Sequence, residues 1–136
     1  KPNKEEIRSV EALAFESIQT EFLKWYLRIK HEPYYWTAAD ARHCKELIKK
    51  MIFSFTSKGM EYDCPRITNL FTSIMEHYIG EKCIDSLEWY RKNAPFNLSI
   101  INGKYNDITA KIREFKESRM GRTPSMSLTQ VNNLFQ

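Results

Sequence analysis

Seven apolar residues early in the chain, Ile7, Val10, Ala14, Ile18, Phe22, Trp25 and Ile29, recur at steps of three and four. A helix returns to the same face after about 3.6 residues, so this spacing holds one stripe for about seven turns. A strand would scatter the same residues over both of its faces. The chain must therefore open with a long amphipathic helix, predicted over residues 4–30. Glu5 and Glu6 in its first turn and Arg28 and Lys30 in its last suit the helix macrodipole. Pro33 predicts its end, because the residue before a proline avoids the helical region. A stripe this long has to be covered, which decides what the rest of the chain must supply.

The same period recurs downstream. Thr37 is an expected N-cap with Asp40 in capping-box position. The second helix then runs over about 38–57, burying Ala41, Cys44, Ile48, Met51 and Phe55, with Leu47 and Ile52 beside them and Gly59 as the stop. Asp63-Cys64-Pro65 reads as a cap and a first-turn proline. It opens a third helix over about 65–79 with Ile67, Leu70, Phe71, Ile74, Met75 and Tyr78 inward and Gly80 behind it. A shorter fourth helix is predicted over about 81–92, carrying Ile84, Leu87 and Tyr90 or Trp89, and Asn93-Ala94-Pro95 breaks it. Ile101, Tyr105, Ile108, Ile112 and Phe115 predict one continuous last helix, capped by Asn97 or Ser99. Gly103 near its start costs roughly 1 kcal/mol against Ala, so a close packing contact is expected there.

Only four glycines and five prolines in 136 residues fall well below the average share of about 12%, which disfavours a turn-rich β fold. The expectation is an all-α fold: one bundle of about five helices over residues 1–118, its first and last helices long. A polar tail over 119–136 follows, as linker or docking segment, with Leu128, Val131, Leu134 and Phe135 available for one or two helical turns. At this length about 68% of the unfolded chain's surface can be buried, so no disulfide or metal is needed.

The net charge of +4 is segregated. Residues 1–23 carry −2, residues 24–50 carry +4, residues 51–90 carry −3 and residues 91–122 carry +5. Three widely spaced cysteines, Cys44, Cys64 and Cys83, argue against a disulfide framework and for a reducing, cytoplasmic setting. No run of apolar residues is long enough to span a membrane, and the N-terminus lacks the apolar core of a signal peptide. The first residue is Lys rather than Met, as expected for a piece of a longer protein.

The chemistry of an enzyme needs converging groups, and the sequence offers few. His43 and Cys44 are adjacent, which points them about 100° apart on a helix. His77 and Cys83 would meet them only through tertiary folding. Cys64 sits at a helix N-terminus, where the dipole lowers a thiol pKa, or is simply a cap-region residue. Asp85/Glu88 and Glu114/Glu117 read as solvated helix faces. No phosphate-binding glycine loop and no nucleophile elbow occurs. The chain therefore reads as non-enzymatic, with no cofactor and no metal.

Binding features are more definite. Arg42, Lys45 and Lys49 share one face of the second helix. Lys104, Lys111, Arg113, Lys116, Arg119 and Arg122 follow one another along the last. Such cations neutralise phosphates and release counterions, or else are ordinary solvated faces. Tyr34, Tyr35 and Trp36 offer either a stacking platform for unpaired bases or a core plug between the first two helices. Asn102 and Asn106, four apart, share a face of the last helix and either contact base edges or a protein groove, or bond to local backbone.

Two segments carry a resemblance. Tyr34-Tyr35-Trp36-Thr37-Ala38-Ala39-Asp40 is followed by Cys44-Lys45-Glu46-Leu47-Ile48-Lys49-Lys50, and the second segment is Leu98-Ser99-Ile100-Ile101-Asn102-Gly103-Lys104-Tyr105-Asn106-Asp107-Ile108. Together they resemble the helical domain of replication-accessory proteins of bacterial phages and integrated mobile elements, the replisome-organiser and helicase-loader class, over about residues 20–118. The resemblance implies recruitment, with DNA, single-stranded DNA included, or the replicative helicase as partner. It carries no catalytic residues. The binding residues expected on these grounds are Tyr34, Tyr35, Trp36, Arg42, Lys45, Lys49, Asn102, Lys104, Asn106 and Lys111. The alternatives are a protein-interaction or oligomerisation domain without nucleic-acid binding, which the charge segregation suits, and an enzyme built on a cluster of His43, His77 and a cysteine or carboxylate.

Overall fold

The computed structural model describes residues 4–119, apart from the side chains of residues 5–8. The expected tail beyond Arg119 lies outside the described residues. Those described are all-helical, with no strand. In chain order they form α1 (Lys4–Lys30), α2 (Ala38–Thr56), α3 (Cys64–Tyr78), a 3-10 turn (Asp85–Leu87), α4 (Glu88–Asn93), α5 (Leu98–Gly103) and α6 (Tyr105–Arg119). Two compact units share them, the first ending at Phe71 and the second beginning at Thr72, with α3 contributing to both.

In the first unit the middle of the α1 stripe is buried as its spacing predicts, while Val10 and Ile29 are half-buried and the Ile7 side chain lies outside the described residues. Ala14, Ile18 and Phe22 are fully covered and Trp25 nearly so. Cys44, Leu47, Ile48, Met51 and Phe55 of α2 are buried with them, as are Ile67, Leu70 and Phe71 of α3. Ser17 and Thr68 share a hydroxyl–hydroxyl hydrogen bond of 2.7 Å that links α1 to α3. α1 ends before Pro33: His31 takes a left-handed φ of 60° while its N–H still reaches the Leu27 carbonyl at 2.9 Å. α2 starts on the expected capping box, with the Thr37 side chain on the Asp40 amide and the Asp40 carboxylate on the Thr37 amide. It ends at Thr56, and the φ of 69° at Gly59 beyond it lets the Met60 N–H return to the Phe55 carbonyl at 3.0 Å. Asp63 caps α3 by accepting the Arg66 N–H at 2.9 Å.

The second unit departs from expectation twice. The fourth helix does not begin near Glu81. The Cys83 N–H bonds to the Gly80 carbonyl and the Ile84 N–H to the His77 carbonyl at 3.0 Å, so this stretch covers the end of α3 instead. Only then do the 3-10 turn and α4 form, with Ile84 and Leu87 buried, Tyr90 half-buried and Trp89 exposed. The Arg91 guanidinium braces the fold-back, donating to the Tyr78 carbonyl at 2.9 Å and the Ile84 carbonyl at 2.8 Å.

The last helix is also two helices rather than one. Asn97 caps α5 as expected, accepting the Ile100 N–H at 3.0 Å, but the backbone leaves the helix at Lys104, with φ −110° and ψ 20°. The apolar period survives the break, since Ile101, Tyr105, Ile108 and Ile112 are all buried. Gly103 is not a close-packing site: a Cβ built there meets nothing within 4 Å. Its weak helical preference marks where the helix gives way.

Candidate nucleic-acid interface

The connection 31–37 and helix α2 hold six of the ten expected binding residues, all in the first unit. Tyr34 and Trp36 are half-buried. The Tyr34 ring meets Phe22 edge-on at 5.1 Å and Tyr26 at 4.8 Å, and its hydroxyl donates to the Asp40 carboxylate at 2.6 Å. Trp36 packs edge-on against Phe15 at 6.2 Å and Phe22 at 6.5 Å. These two side chains are the plug between α1 and α2. Tyr35 is different, with 85% of its surface exposed.

Burial pushes the Tyr34 hydroxyl pKa up, and the Asp40 charge beside it adds to the effect. For Asp40, burial alone would raise the carboxyl pKa. Hydrogen bonds from the Tyr34 hydroxyl and from the hydroxyl and amide of Thr37, with His43 nearby, outweigh it, and the net value falls below the ordinary range. Asp40 is thus an ionised anchor for the connection.

On α2, Arg42, Lys45 and Lys49 are exposed, and none of the three enters an ion pair among the described residues. The Lys45 ammonium stands 6.0 Å from the centre of the Phe15 ring. Lys45 and Lys49 also form one wall of an open groove of about 520 Å³, whose other residues are Glu11, Ala12, Phe15 and Glu16 of α1. Sequence reasoning missed the two glutamates. No signal in the sequence marks them, because only the packing of α1 against α2 brings them to this groove.

The other four expected residues, all in the second unit, do not form a site. Asn102 is 4% exposed and closes α5, whereas Asn106 is exposed on α6. The break at Lys104 removes the shared helix face that their spacing predicted. Lys104 is exposed. Lys111 is committed locally, its ammonium 2.8 Å from the Asp107 carboxylate, which also accepts the Tyr90 hydroxyl. The hydrogen bond to Asp107, with burial, pushes Tyr90 up to about 12.

Two of the groups with reactive chemistry, Cys44 and His77, are held in unreactive states. Burial pushes the Cys44 thiol up to about 12, against a small opposing pull from Lys45. Burial lowers the His77 pKa, helped by Lys116 and Lys82 and opposed by the hydrogen bond to Ser73 and by Glu76. The ring is therefore neutral near pH 7, and its Nδ1–H donates to the Ser73 carbonyl at 2.7 Å. Among the described residues, no three of His, Cys, Asp and Glu come together as a metal-binding group. No helix among them is long and apolar enough to cross a membrane. No protein-family model, no curated protein and no solved structure matches the chain.

Proposed function

We propose that the chain is a non-enzymatic accessory domain of phage or mobile-element DNA replication that binds DNA, with the replicative helicase as a further partner, in the cytoplasm. The observation that supports this reading is the row of exposed cations Arg42, Lys45 and Lys49 on α2, none of them ion-paired among the described residues. Cations without carboxylate partners lose nothing when a phosphate arrives, and each releases counterions on contact. The test is fluorescence anisotropy of labelled oligonucleotides across a salt series. Three phosphate contacts predict a slope of log K against log salt of about −2 to −3. Lys45→Glu with Lys49→Glu is expected to abolish binding and leave helicity unchanged. An undiminished affinity in that double variant sinks the assignment of this face.

The groove favours a second reading, a protein-interaction or oligomerisation domain. Glu11 and Glu16 face Lys45 and Lys49 over Ala12 and Phe15, which suits a partner of mixed charge with an apolar side chain to insert. A concentration-dependent sedimentation coefficient that high salt abolishes, with no oligonucleotide binding, would select this reading.

A further inference from the structure

From Pro33 to Thr37 the backbone is in neither helix nor turn. Burial alternates along it, with Tyr34 and Trp36 half-buried and Tyr35 exposed, as it does where successive side chains point to opposite sides. Tyr34 and Trp36 turn inward, the first fastened to Asp40, Phe22 and Tyr26, the second to Phe15 and Phe22. Thr37 is fixed by its capping box. Tyr35 is therefore held outward by anchored neighbours on both sides, and only its own side-chain torsions remain free. At 85% it is the most exposed large hydrophobic side chain among the described residues, ahead of Phe53 at 69% and Trp89 at 65%.

The stripe that follows this ring in the chain gives it a partner. Ala38, Arg42, Lys45 and Lys49 follow one another at steps of four, three and four, so they form one stripe of α2, and all four are exposed. Three peptide units separate Tyr35 from Ala38, which keeps their Cα atoms within about 11 Å. The displayed aromatic thus heads a row of unpaired cations. A protein partner would need acidic and apolar side chains placed to match; in a single strand every nucleotide supplies both a phosphate and a flat apolar face.

We propose that Tyr35 is the base-stacking contact for a single-stranded nucleic acid whose phosphates follow Arg42, Lys45 and Lys49. This rests on the DNA-binding reading above and adds the strandedness and the residue that decides it. In a duplex the base faces are already occupied by their neighbours, so the ring has nothing to stack on. In a single strand any base offers its face, which makes the contact tolerant of sequence.

The experiment uses the full chain with a labelled oligothymidine strand, a labelled blunt-ended duplex of two strands, and a strand carrying a fluorescent purine analogue. Tyr35→Ala is expected to weaken strand binding by about five- to hundredfold, with the salt slope and the duplex affinity unchanged. Tyr35→Phe keeps the ring and is expected to keep the affinity. Quenching of the purine analogue is expected to vanish in Tyr35→Ala and persist in Tyr35→Phe. Wild-type strand affinity in Tyr35→Ala, alongside weakened binding by Lys45→Glu/Lys49→Glu, would overturn the stacking contact while the DNA-binding reading survives. No binding of either oligonucleotide by the wild-type chain at low salt would overturn both. A Tyr35→Ala chain that changes its sedimentation but not its oligonucleotide affinity would place the ring in a protein interface instead, and so overturn the stacking contact.

Discussion

Asp40 accepts hydrogen bonds from the Tyr34 hydroxyl at 2.6 Å, the Thr37 amide at 2.9 Å and the Thr37 hydroxyl at 2.8 Å, and is itself 6% exposed. One carboxylate therefore completes the capping box of α2, orients the Tyr34 ring by its hydroxyl and fixes the backbone at Thr37. Asp40→Asn keeps the shape but turns an acceptor into a donor facing the Thr37 amide. We expect a loss of about 1–3 kcal/mol, read as a lowered urea midpoint. The pH dependence has a definite sign. The folded-state pKa of Asp40 is depressed, so its contribution is complete above the unfolded value of about 3.9 and is lost as pH falls through the folded value. The stabilities of wild type and Asp40→Asn should differ at pH 7 and converge in acid; a gap that persists at the lowest pH would show that the charge is not what matters. Arg91 plays the corresponding part in the second unit by holding the Tyr78 and Ile84 carbonyls. Arg91→Ala takes this donor from the Tyr78 carbonyl and leaves the Ile84 carbonyl with the Leu87 N–H at 3.2 Å, and is expected to cost about 1–3 kcal/mol in thermal or urea unfolding.

The break between α5 and α6 belongs to the scale of the element. Gly103 has open space around its Cα and no left-handed φ, so nothing in the fold requires a glycine there. Gly103→Ala is expected to stabilise the chain by about 0.5–1 kcal/mol, visible as a raised urea midpoint, because alanine loses less conformational freedom on ordering. A destabilised Gly103→Ala would mean that the break itself is needed for packing. Periods and caps were legible where both act within one element: α1 runs from Lys4 to Lys30 as its stripe predicts, and Thr37 caps α2 as its spacing to Asp40 predicts. The fourth helix starts later than its period predicts because the Ile84 amide goes to His77 in α3 and the Cys83 amide to Gly80 just beyond it, a competition between elements that no period within one element reveals.

Charge acts at the scale of the whole molecule, where the formal net value of +4 is modest and its placement matters more. Lys45→Glu/Lys49→Glu and Lys30→Glu/Lys82→Glu both bring that net charge to zero. Lys30 and Lys82 are exposed but lie outside the α2 stripe. If the stripe is the phosphate track, anisotropy should show binding lost in the first variant and largely kept in the second. Equal losses would instead point to a diffuse field with no local interface. The candidate site was legible only in outline. Arg42, Lys45 and Lys49 were readable because one helix sets their common face. Glu11 and Glu16 opposite them were not, because helix packing alone brings them there.

The amino-acid sequence by itself determined that the described chain is helical, where α1 ends and α2 begins, and most of the residues on their buried stripes. Those signals act over one to four residues, within the reach of a single turn or cap. The tertiary structure alone decided that Tyr34 and Trp36 are plugs and Tyr35 is displayed, since the three aromatics are chemically alike and adjacent. Phe15, Phe22 and Tyr26, a helix away, supply the surface that takes two of them and leaves the third outside. It also decided that Asn102 and Asn106 part company and that Lys111 serves Asp107. In each case the outcome turned on partners or a backbone break that the residue's own helical period does not encode.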